Sequence, residues 1–110
     1  MPGKKEEERG TLPSVHLISP EGKETNITPE FQWTASDSGN KNLNHTLLVS
    51  KGDGNPFLKS NYKYTFDSEN IRKISARPFI LQRNEDYSWG VLVDDGGIGA
   101  ARSEIFSIEL

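Results

Sequence analysis

The segment DYSWGVLVD, residues 86–94, sets Tyr87, Trp89, Val91 and Val93 at a period of two. Four large side chains at that spacing share one face of a pleated strand, and a helix would scatter them around its axis. Such a face must be covered by a second layer. Shorter alternating runs recur along the chain, cut by clusters of Gly, Pro, Asn and Asp about every 8 to 15 residues, as in an all-β sandwich or barrel.

Seven strands account for these runs. SVHLISP carries Val15 and Leu17 on one face and stops at Pro20, and EGKETNITPE reads as a long loop. EFQWTAS places Phe31 and Trp33 two apart, ahead of a polar loop with Asp37, Gly39 and Asn40 as turn-formers. LNHTLLVSKG alternates His45, Leu47 and Val49 before the breakers GDGNP. FLKSNYKYTF, with Phe57, Tyr62, Tyr64 and Phe66 among charged residues, reads as a less buried strand, and ENIRKISARPFIL adds Ile71, Ile74, Phe79 and Leu81 around Pro78. Beyond the strand at 86–94, DDGGIGA turns the chain and SEIFSIEL closes a hairpin with Phe106, Ile108 and Leu110. A seven-stranded sandwich fits this better than an eight-stranded barrel. The expected core is Val15, Leu17, Phe31, Trp33, Leu47, Val49, Phe79, Leu81, Tyr87, Trp89, Val91, Val93, Phe106 and Ile108.

At 110 residues the chain suits one domain with a self-sufficient core. It has no cysteine, which excludes a disulfide scaffold, a thiolate nucleophile and a thiolate zinc site. The net charge is −3, and Lys and Arg form no stripe, so nucleic acid is not an expected partner. No stretch approaches the roughly 20 apolar residues of a spanning helix, and no signal-peptide core opens the chain. Direct membrane insertion is not expected, and a secretion signal would lie outside this sequence. Residues 1–12, beginning MPGKKEEERG, are expected to form a solvated tail or linker, and 13–110 the folded domain.

Leu81 stands six positions before Tyr87, which opens the penultimate strand. That spacing resembles the tyrosine corner of fibronectin type III domains, in which the tyrosine hydroxyl bonds backbone just upstream and pins the crossing between sheets. The surrounding pattern is similar to the variant of this family found in tandem on bacterial and archaeal extracellular proteins. It comprises Pro20 and Gly22, Phe31 and Trp33, Asp37 and Gly39, the strand from Leu43 to Val49, Tyr87 with Trp89 and Val91, Asp94 and Gly96, and Ser103 with Phe106. The likeness covers about residues 13 to 110. It departs at His45, where the family usually has tyrosine, and in the long, basic stretch from Phe57 to Arg77.

The resemblance implies an immunoglobulin-like Greek-key sandwich with Trp33, Leu81, Tyr87 and Trp89 as structural residues. It also implies a non-catalytic spacer or protein-interaction unit of a larger surface or secreted protein. We expect a monomer without cofactor or metal, partnered by neighbouring domains of its chain or by a surface protein.

Catalysis has little to draw on, since there are two histidines and most carboxylates fall in loops or the tail. Ser14 and His16 are expected to face opposite ways, which leaves no nucleophile and base pair on that strand. The alternative reading is a carbohydrate-binding module attached to a secreted polysaccharide-acting enzyme. Its candidate ligand surface is Tyr62 and Tyr64, whose rings can stack on sugars, with Asp94 and Asp95 in the last hairpin loop. Asp94 and Asp95, with Asp37 and Asn40, also supply oxygen ligands of the kind calcium takes, although Asp and Asn are ordinary turn residues. Lys51, Gly52 and Asp53 resemble the Lys variant of an integrin-binding tripeptide, with the same turn chemistry as the plainer explanation. Asn26 and Asn44 open glycosylation sequons, NIT and NHT.

Overall fold

The computed structural model describes residues 13–36, 42–68, 73–96 and 99–110. Among these the chain is all β, with nine strand segments in two sheets packed face to face. They are β1 (Ser14–Ser19), β2 (Gly22–Lys23), β3 (Phe31–Ser36), β4 (Leu43–Lys51), β5 (Tyr62–Ser68), β6 (Lys73–Ala76), β7 (Asp86–Asp94), β8 (Ala100–Arg102) and β9 (Phe106–Glu109). One sheet has the order β1-β3-β6; the other runs β2-β9-β7-β4-β5, with β8 also on β7. The expected tail, the turn-formers Asp37, Gly39 and Asn40, and Ile71 lie outside the described residues.

Alternation decides which side chains meet between the layers. β1 and β3 present Val15, Leu17, Phe31, Trp33 and Ala35; β4 and β7 present Leu47, Val49, Tyr87, Trp89, Val91 and Val93, with Ile108 from β9. The two tryptophans and Phe31 are fully buried. Phe31 meets Trp89 edge-on at 4.8 Å between centroids, the favoured aromatic arrangement. Trp89 Nε1 donates to the Pro20 carbonyl at 2.9 Å, so its one polar atom is satisfied inside the core.

The strand count differs from seven in two places. The stretch read as one long loop contains β2, which pairs in parallel with β9 at the sheet edge. The second is β8, which begins in the stretch read as the turn before the last strand and pairs with β7 alongside β9; between β8 and β9 the Ser103 hydroxyl accepts from Val91 N at 2.9 Å and donates to the Glu104 carbonyl at 2.6 Å. Phe79 and Phe106 are only partly buried, packed against the core from its margins, while Leu43, Ala35 and Ile74 join it.

Gly90 stands on the outer face of β7, where the Phe57 ring lies across it. A Cβ added there would come within 2.5 Å of Phe57 Cζ. Gly90→Ala is therefore expected to push Phe57 off the sheet and cost about 1 kcal/mol, the low end for overpacking because the ring sits on a movable side chain. In a Phe57→Ala background the same change should cost close to nothing, which urea denaturation of the four proteins will measure.

Candidate functional site

His45 lies on the inner face of β4 and is fully buried. Trp33 Nε1 donates to its Nδ1 at 3.1 Å, and its Nε2 lies 2.7 Å from Ser68 Oγ. Phe66 stacks on the imidazole at 5.0 Å and 8°. Because Nδ1 accepts, the neutral ring carries its proton on Nε2 and donates it to Ser68. A base that activates a serine must instead accept from the hydroxyl, so this Ser–His pair has the wrong tautomer for that task. Burial drives the His45 pKa down to about 4, against the opposing pull of the Asp67 carboxylate.

The other histidine is exposed on β1, its Nδ1 3.9 Å from a Glu104 carboxylate oxygen. The expectation that Ser14 and His16 face opposite ways is corrected: two apart on a strand, they share the solvent face. Ser14 Oγ is paired with Ser36 Oγ at 3.2 Å.

Tyr87 begins inside the core, and its hydroxyl reaches the chain five residues back, accepting from Gln82 N at 2.9 Å. Next to that bond, Leu81 N donates to the Ile27 carbonyl at 2.7 Å, tying the turn before β7 to the loop before β3. Burial raises the Tyr87 pKa above its ordinary value, with the Gln82 bond acting against it.

The four residues expected to form a ligand surface fall into three places. Tyr62 is drawn inward, its ring packed on Phe79 at 5.3 Å and Tyr87 at 6.2 Å. Tyr64 is 41% exposed and, with Phe66, forms one wall of a cleft of about 330 Å³ between the free edges of β5 and β6. Ser75, Ala76, Arg77 and Pro78 form the other wall, and the Arg77 guanidinium turns away to the Thr28 carbonyl and Glu30. Asp94 and Asp95 sit at the end of β7 remote from Tyr62. There the Asp94 carboxylate accepts from Gly96 N at 3.0 Å and the Asp95 carboxylate from Gly99 N at 3.1 Å. Among the described residues no group of three or more His, Cys, Asp or Glu is placed to hold a metal.

The two sequons differ in setting. Asn26 is exposed, its Oδ1 accepting from the amide and hydroxyl of Thr28, both at 2.9 Å. Asn44 lies between β5 and β7 in the sheet, and its amide donates to Asp67. Lys51 ends β4 and Asp53 stands on the turn after it, both exposed, while Gly52, at φ +75°, is held by its N–H to the Asp86 carbonyl and by Ser88 Oγ donating to its own carbonyl.

Sequence reasoning missed a groove of about 440 Å³ on the outer face of the larger sheet. Leu48 and Leu92, with Thr46 and Thr65 beside them, floor it, and the connection from β4 to β5 overhangs it with Phe57, Leu58 and Lys59. The only sequence signal was an apolar pair, Phe57-Leu58, directly after the breakers. Comparison with protein-family models, curated proteins and solved structures finds no match.

Proposed function

We propose that the chain is a fibronectin type III-like module that works outside the cell as a non-catalytic spacer and protein-interaction unit of a larger surface or secreted protein. The observation that carries this reading is where the folded chain is entered and left. Pro13 packs against Gly99 at one end of the sandwich, while Leu110 is bonded to Asn84 and Glu85 at the other. The nine residues of β7 between those ends span about 26 Å. A unit threaded from end to end extends a string of domains; one with adjacent termini would hang from it.

Three further features support the family. Strands β1, β3 and β6 form one sheet and β9, β7, β4 and β5 the other, a division that a seven-stranded Greek-key sandwich of this family would also have. The Tyr87 hydroxyl bonds the backbone before its strand, as a tyrosine corner does. His45 fills the inward position with a ring bonded to Trp33 across the sheets. The extracellular setting follows from the resemblance of the motifs. The non-catalytic role is supported by the Ser68–His45 pair, which is protonated the wrong way for a nucleophile.

Two copies joined head to tail through residues 1–12 test the proposal. X-ray scattering is expected to give a maximum dimension near twice that of one folded unit. Two units folded back side by side would count against the spacer.

A further inference from the structure

We propose that the groove over Leu48 and Leu92 docks a partner protein through an acidic segment bearing an aliphatic or aromatic side chain, with Leu58 as the anchor. This rests on the reading of the chain as an interaction module and gives that module a face and a kind of partner.

Leu58 is 82% exposed, the most exposed large hydrophobic side chain among the described residues. It is nevertheless held on a tightly bonded turn. The Asn55 side chain accepts from Phe57 N at 2.9 Å, and the Asn55 carbonyl accepts from Leu58 N and Lys59 N, both at 3.1 Å. Pro56 is buried, and Phe57 is clamped between Gly90 and the Arg102 guanidinium 5.5 Å from its ring centre. An apolar side chain presented on a preorganised turn loses little entropy on binding, which is how an interface anchor becomes effective.

Charge selects the partner. The groove is lined by Lys59 and Lys63 and by no carboxylate, and Arg102 stands behind Phe57, on a chain whose net charge is −3. Cations gathered around Leu58, Leu48 and Leu92 complement carboxylates flanking an apolar side chain. A sugar is the poorer match, because the one aromatic ring is already covered on the sheet side and offers no open face for stacking.

A random peptide library displayed on phage, selected against the whole chain, tests the assignment. Enriched peptides should carry Asp or Glu around an aliphatic or aromatic residue. As synthetic peptides they should bind Leu58→Ser at least about tenfold more weakly, and Lys59→Glu/Lys63→Glu not measurably. Both variants should melt like the parent, since the altered side chains are exposed. Peptides that bind both variants undiminished overturn the site and leave the module reading standing. No enrichment over bare support overturns the site together with the interaction half of that reading. Phosphatidylserine vesicles that bind through Leu58 and the lysines, where peptides do not, would assign the groove to a lipid surface and overturn the proposal as well.

Discussion

Trp33→Ala is expected to cost about 3 to 5 kcal/mol, a large share of the stability of a domain this size. The indole is fully buried between the sheets, packed on Phe66 at 6.1 Å and on His45 at 5.9 Å. Truncation leaves a cavity that strands bonded on both sides of β3 cannot close. It also strips His45 Nδ1 of its donor, leaving a buried acceptor unsatisfied. Urea unfolding should show a much lower midpoint at nearly unchanged slope. Trp33→Phe should fall between parent and alanine variant, because it keeps most of the ring and loses the N–H. An alanine variant that unfolds with the parent would place Trp33 outside the core.

The second large effect is on acid stability. His45 has a folded pKa of about 4 against an ordinary 6.5, because burial penalises its charged form. Between those values the unfolded chain binds a proton that the folded chain refuses, so stability is full above pH 6.5 and falls as the pH drops towards 4. The loss from this one group approaches about 3 kcal/mol. Carboxylates add their own acid dependence, so the measurement is a difference. His45→Gln, which can still accept from Trp33, should be less stable than the parent at pH 7, and the gap should narrow or reverse by pH 4. Parallel stability curves from pH 7 to pH 4 would mean that His45 titrates normally.

The sequence is most legible where local pattern and tertiary need coincide. Tyr87, Trp89, Val91 and Val93 announce an inward strand face because the period of two is a property of the backbone itself. The same rule identifies Leu47, Val49, Phe31 and Trp33. It also puts His45 inside, but its partner Ser68 is 23 residues away, and no local pattern connects them. β2 is illegible for a related reason: two residues have no periodicity, and they become a strand only because β9 arrives beside them.

The site was harder to read than the fold. Tyr62 and Tyr64 have the same residue type and strand face, and they differ because the 77–82 segment brings Phe79 over one and leaves the other at the β5 edge. Asp94 and Asp95 invite a ligand reading from their type alone, yet their oxygens take up amides of their own loop. Leu58 was passed over because FLKSNYKYTF read as one strand from Phe57, whereas the strand starts only at Tyr62 and the residues before it form a turn. The Asn55 bonds that settle the matter are a property of the turn.

The central claim is that the chain is entered at one end of the sandwich and left at the other. Since the sequence has no cysteine, spin labels at Ser14→Cys and Glu109→Cys, both exposed positions, report that span alone. Dipolar spectroscopy is expected to find them about 25 Å apart or more, as the length of β7 requires. A distance under about 15 Å, less than five residues of extended strand, would place both termini at one end and contradict the account.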